Sequence, residues 1–262
     1  MTTVGAEPGH INVGKVLSDT GDILKKSIGT IWIIALLLLI PVAIIGYFAS
    51  EGWLISLIYA IASLVVSLYL TGVMVRIVQD VEADGRVDAS VSELLGSITP
   101  KLWSLLLLSI VVGILIFIGF IFLIIPGIFL ALMWAVAVPA MVAEDRGVFD
   151  SMSRSGELTK GNRWRMIGLF ILIYVLLFVV IIVVALLSAI TPILGVIVGL
   201  LVAIVVYPYI AIILAVLYYE LLEARGEAKP GPGVGAMAAP AGEMPPPVSG
   251  GEMPPPGGGA PA

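Results

Sequence analysis

The chain has 262 residues, of which 60% are hydrophobic and 12% charged, and its mean hydropathy is +1.15. That composition excludes an ordinary soluble domain and indicates a membrane protein. Eighteen acidic residues against 13 basic ones give a formal charge of -5, and there is no cysteine. A nucleic-acid partner, which calls for a basic patch, and any disulfide framework, thiolate metal site or thiol nucleophile are therefore excluded. The one histidine, His10, has no second ligand near it, so no metal and no cofactor is expected.

At the N-terminus, Val13, Val16, Leu17, Leu24 and Ile28 recur at helical spacing against Lys15, Ser18, Asp19, Asp22, Lys25 and Lys26. This predicts an amphipathic helix lying along a membrane surface within residues 1–27. The apolar run from Ile28 to Ala49 exceeds the roughly 7–15 residues of a signal-peptide core, so it is expected to be a retained span.

Three long stretches then dominate the chain. Between Lys26 and Arg76 the only charge is Glu51; between Lys101 and Glu144, and between Arg165 and Glu220, there is none. One crossing needs about 20 residues at about 1.5 Å rise each, and residues 102–143 alone would make a helix of roughly 60 Å. Each stretch must cross twice. Turn residues near the middles, Ser50-Glu51-Gly52, Pro126-Gly127 and Ser188 to Pro192, place six spans near 28–49, 53–75, 102–125, 127–143, 166–187 and 193–217, the fourth being the shortest, with a partial or tilted crossing as its alternative.

A second amphipathic helix is predicted from Ser90, whose hydroxyl and Glu93 make a capping box, with Val91, Leu94, Leu95 and Ile98 on one face. A third runs from about Val148 to Thr159, with Phe149 and Met152 apolar against Asp150, Arg154, Glu157 and Lys160. Trp32, Trp103 and Trp164 stand where the hairpins begin, as suits a residue that favours the headgroup region. The unit of interfacial helix, tryptophan and hairpin thus occurs three times, by internal repetition or by the common demands of the bilayer. The fold class is all-α: a membrane bundle of six transmembrane helices in three hairpins, each preceded by an amphipathic helix.

All 13 basic residues fall before span one, between spans two and three, between four and five, or after span six. The positive-inside rule then puts both termini in the cytoplasm of a multi-pass cell-membrane protein. Three regions follow: a cytoplasmic segment 1–27, a membrane domain 28–222 and a Gly/Pro-rich tail 223–262. The tail repeats Gly-Glu-Met-Pro-Pro-Pro at 242–247 and 251–256, a composition that favours disorder and serves either as a solvated spacer or to recruit a protein partner.

No Asp, Glu, Lys, Arg or His lies inside a span, which removes the usual signature of ion or proton pathways. Gly195, Gly199 and Ala203 form a small-residue stripe suited to helix packing within the bundle, with homo-oligomerisation as the alternative. Arg154, Lys160, Arg163, Trp164 and Arg165 are the candidates for lipid headgroups, with membrane lipids as partners and juxtamembrane anchoring as the other explanation. Among possible acid/base groups only Glu144, Asp145, Asp150 and Glu157 gather, and no catalytic constellation is expected.

The run Pro126-Gly127-Ile128, Trp134, Pro139, Glu144, Arg154-Ser155, Leu158-Thr159-Lys160-Gly161 and Trp164 resembles the membrane domain of some glycerophosphoryl diester phosphodiesterases. It is similar also to the related YciC-like membrane proteins. The resemblance implies a six-helix membrane domain. It does not bring the hydrolase, because no soluble stretch here approaches the roughly 250 residues of the catalytic barrel. The expected function is that of a non-enzymatic membrane protein organising or sensing lipid at the cytoplasmic leaflet. A transporter or flippase for an apolar or amphipathic substrate is the alternative.

Overall fold

The charge-free stretches fold into antiparallel pairs of helices. The structure, a computed structural model, describes residues 9–49 and 52–231, apart from the side chains of residues 192 and 196. Its elements are α1 (Val13–Tyr47), α2 (Trp53–Asp84), α3 (Val91–Ile98), α4 (Leu102–Phe122), α5 (Ile124–Met133), α6 (Ala137–Glu144), α7 (Val148–Thr159), α8 (Arg163–Ser188) and α9 (Pro192–Ala224). No strand occurs among the described residues, and six helical stretches are long and apolar enough to cross a membrane. The expected turn at Ser50-Glu51 and the tail beyond residue 231 lie outside the described residues.

Helices α1, α2 and α9 contain 35, 32 and 33 residues. At about 1.5 Å per residue each approaches 50 Å, whereas the hydrocarbon core is about 30 Å thick. The excess lies at the polar end of the bundle, where α1 begins, α2 and α9 finish, and the basic residues fall. The amphipathic stretch ahead of the first hairpin is present, but it is the first half of α1 rather than a separate surface helix. Nothing in residues 13–28 breaks a helix, and its buried stripe of Val16, Thr20, Ile23 and Ser27 continues into Ile31 and Ile34. One unbroken face therefore packs along α9 and α2.

Packing is tight at the polar end and loose at the other. Almost every residue of α9 from Ala211 to Leu222 is buried, so this half-helix is the centre of the core. Leu54, Ile58, Phe117, Ile121, Phe178 and Ile190, towards the far end, are exposed. Lipid tails solvate them as well as another helix would, whereas the segments beyond the bilayer must bury apolar surface from water.

The second amphipathic helix, α3, closes with the expected capping box: Ser90 Oγ accepts from the Glu93 N–H, and the Glu93 carboxylate accepts from the Ser90 N–H. Its apolar face packs on α2, where Ile98 sits against Gly72 and Tyr69 donates to the Leu95 carbonyl at 2.5 Å.

Two boundaries differ from the sequence expectation. The second hairpin turns at extended Leu123, and Pro126-Gly127 fall inside the first turn of α5. A proline fits there because first-turn N–H groups have no helical partner. A Cβ on Gly127 would lie 2.5 Å from the Phe120 ring, and one on Gly119 would lie 3.1 Å from Gly127 Cα, so two glycines let this hairpin close. The fourth span, expected as one helix over 127–143, is broken between α5 and α6 at Trp134, Ala135 and Val136. By contrast the third hairpin turns where expected, with Thr191 capping α9 by accepting from the Leu194 N–H at 3.2 Å.

Candidate functional site

A broken helix near a membrane leaves backbone groups that must find partners. Here α7 supplies them. Ser155 Oγ donates to the Met133 carbonyl at 2.8 Å and accepts from the Val136 N–H at 3.3 Å, and Thr159 Oγ1 reaches the same carbonyl at 3.4 Å. Ser151, Ser155, Leu158, Thr159 and Asn162 form one fully buried stripe of α7 and the turn after it. Gly156 allows the approach, since a Cβ there would already touch Met133 at 3.4 Å. The third amphipathic helix has the expected bounds, but its buried face sets Ser151, Ser155 and Thr159 among Met152 and Leu158 and clasps the break, while Phe149 points outward.

Beside the clasp lies a network of charges. Asp145, in the left-handed conformation (φ 54), ends α6 and turns the chain towards α7. The Glu144 carboxylate just before it accepts from Tyr218 of α9 at 2.6 Å and from Arg154 Nε at 2.9 Å, and also pairs with Arg146. Arg154 pairs at its other end with Glu227. Burial works against the charge on Arg154, but Glu227 and Glu144 outweigh it and hold its pKa above the ordinary value. Lys15 pairs with Glu220 and Glu223, Lys101 with Asp145, and Lys229 with Glu82 and Glu223. These bonds tie α1, α2, α4, α6, α7 and α9 into one foot.

Both ends of the described chain are anchored in this foot. Asn162 accepts from the Ile11 N–H at 3.0 Å and donates to the Gly9 carbonyl at 3.3 Å, while Arg165 donates to the Ile11 carbonyl at 3.0 Å. Fully buried Gln79 donates to the Pro230 and Gly231 carbonyls at 3.2 and 2.8 Å.

The five headgroup candidates divide. Arg154 is committed to two carboxylates. Arg163 lies 4.2 Å over the Phe129 ring and Arg165 on Ile11. Lys160 and Trp164 face outward, Trp164 with 84% of its surface exposed, and Trp103 at the start of α4 is 83% exposed. The packing stripe divides too. A Cβ on Gly195 would come within 2.7 Å of Ser188 Cβ, a close approach of α9 to α8. A Cβ on Gly199 would lie 4.0 Å from Val184 of α8, and Gly199 and Ala203 also line a cavity of about 330 Å³ between α1, α2 and α9.

The residues of the YciC-like motif are therefore the broken fourth span and the helix that clasps it. A family model matches residues 53–220, from the start of α2 to the buried Glu220. The chain belongs to the uncharacterised protein family UPF0259. Its match to a UPF0259 membrane protein, PC1_1998 of Pectobacterium carotovorum subsp. carotovorum (strain PC1), is 34% identical over 101 residues, 38% of this chain. That alignment spans 40% of the relative's length. No solved structure matches the chain. UPF0259 membership carries the likeness to YciC-like membrane proteins and does not extend it to the phosphodiesterases.

Sequence reasoning passed over Gln79, Tyr218 and Glu220. Span six was expected to stop at residue 217, so the tyrosine and glutamate just beyond it were not placed at a site. Glu220, within a 33-residue helix that is otherwise apolar up to that point, was the available signal.

Proposed function

We propose that this UPF0259 member is a non-enzymatic membrane protein that organises or senses anionic lipid, with its polar end at the cytoplasmic leaflet. The observation that carries the reading is the pair of outward-facing tryptophans, Trp103 and Trp164, with exposed Lys160 close by in the chain to Trp164. An indole at the headgroup level beside an ammonium group suits a lipid phosphate. Lys15, Lys101, Arg146, Arg154 and Lys229 are held by internal carboxylates, whereas exposed Lys160, four residues from Trp164, is open to an external anion. The layer just above the foot, with Ala35, Met74 and Ile212 fully buried, supports a scaffold over a transporter, which needs a path through that layer. The likeness of residues 126–165 to the membrane domain of glycerophosphoryl diester phosphodiesterases is part of this proposal, as a shared membrane module without the hydrolase.

Native mass spectrometry of gently extracted protein tests the reading. Anionic lipid is expected to stay bound and to be lost when Lys160→Gln is combined with Trp164→Ala. A protein that holds no anionic lipid, or one that holds it equally in the double variant, overturns the proposal.

A further inference from the structure

The cavity between α1, α2 and α9 is walled by Leu39, Val42, Ala43 and Gly46, by Ser63, Val66 and Ser67, and by Gly199, Leu200 and Ala203, with tyrosines 47, 59 and 207 at its edges. Its volume of about 330 Å³ lies at the small end of the range for ligand sites, which bundles commonly place between helices. Small residues from all three helices, Ala43, Gly46, Ser63, Ser67, Gly199 and Ala203, contribute to its walls. Towards the polar end Ala35, Leu70, Val73 and Ala211 are buried and seal the floor. Tyr47, Tyr59 and Tyr207 are each exposed by more than a third, so the opening is sideways, into the far half of the bilayer.

The chemistry of the lining selects an occupant. No wall residue carries a charge, which rejects an ion or an ionic headgroup. Ser63 Oγ donates to the Ala60 carbonyl at 2.9 Å, but among the described residues the hydroxyls of Tyr47, Tyr59, Ser67 and Tyr207 bond to no protein group. Hydroxyl donors at membrane depth, where water is scarce, call for acceptor oxygens. An uncharged acceptor at that depth, attached to an apolar chain that fits a narrow cavity, is the ester carbonyl of a glycerolipid.

We propose that this cavity is a lateral lipid site: it takes one acyl chain of a phospholipid from the far leaflet, with an ester carbonyl accepting from a tyrosine hydroxyl. The site is separate from the headgroup-binding foot, and it stands or falls independently of that reading.

The test uses the full-length protein in phosphatidylcholine vesicles containing a trace of phosphatidylcholine with a diazirine on one acyl chain. After irradiation, cross-links are mapped by mass spectrometry. Cross-links are expected to concentrate on residues 59–67 and 199–207, above the lipid-facing surface of α8 around Tyr174 and Phe178. Ala203→Phe and, from the opposite wall, Ser63→Leu should each reduce the cavity signal to the α8 level, while Phe178→Leu on α8 should not. Lys160→Gln with Trp164→Ala should leave the cavity signal unchanged, which separates this site from the foot. Wild-type labelling no denser in the cavity than on α8 overturns the proposal whether or not the filling variants fold. So does cavity labelling that persists in folded Ala203→Phe and Ser63→Leu protein.

Discussion

Replacing Ser155 by alanine isolates the bond that holds the broken fourth span. Ser155 is fully buried and makes two bonds to the break, to the Met133 carbonyl at 2.8 Å and from the Val136 N–H at 3.3 Å. With the hydroxyl gone the Val136 N–H loses this acceptor, and the Met133 carbonyl keeps only the long contact from Thr159 at 3.4 Å. Stranding a buried polar group costs about 1–3 kcal/mol, so Ser155→Ala is expected to cost about 2–4 kcal/mol. Ser151 provides the control. It is equally buried, but its hydroxyl returns to the Gly147 carbonyl, which the Ser151 N–H already satisfies. Ser151→Ala should therefore cost about 1 kcal/mol or less. Denaturant titration in detergent micelles, followed by tryptophan fluorescence, measures both, and Trp134 sits at the break itself. Equal costs for the two substitutions would refute the clasp.

Other expectations follow from the same contacts. Glu144→Gln leaves Arg154, whose side chain is 14% exposed, with Glu227 alone, and should cost about 3 kcal/mol. Tyr218→Phe removes one bond to a charged acceptor and should cost about 1.5–3 kcal/mol by the same titration. Gly127→Ala pushes a Cβ into the Phe120 ring and should cost about 1–3 kcal/mol, whereas Gly113→Ala meets nothing within 4 Å and should be neutral or stabilising by up to about 1 kcal/mol. The Ser90 hydroxyl and N–H hold the Glu93 carboxyl below its ordinary pKa, so the capping box stabilises α3 above the ordinary carboxylate range and loses that contribution as pH falls through the folded value. Hydrogen exchange at α3 should accordingly quicken on acidification, and Glu93→Gln should flatten that pH dependence.

The six crossings were legible because hydrophobicity and charge act locally: three stretches of more than forty residues contain a single charge between them, Glu51, and each must cross twice. The capping box at Ser90 and the turn at Ser188 to Pro192 were legible for the same reason. The broken fourth span was not, because Trp134, Ala135 and Val136 include neither Gly nor Pro, and the break is stabilised by Ser155 and Thr159, about twenty residues away. Arg154 read as a headgroup ligand because its position among lysines and arginines fits that role. Its true neighbours, Glu144 and Glu227, come from other elements. Gly195 and Gly199 face α8 as small residues allow, but that Gly199 and Ala203 also line a space between α1, α2 and α9 depends on how the three helices are placed. Local chemistry thus gave the elements, and tertiary placement decided which side chains remain available to a ligand.

Orientation underlies the whole account, since a foot facing the wrong leaflet could not meet the lipid assigned to it. The chain lacks cysteine, so single cysteines at Ser50, Ser97 and Ser249 can be probed in intact cells with a membrane-impermeant thiol reagent. Labelling is expected at position 50 alone. Labelling at 97 or 249 would contradict the cytoplasmic placement of the polar end and the lipid-organising role built on it.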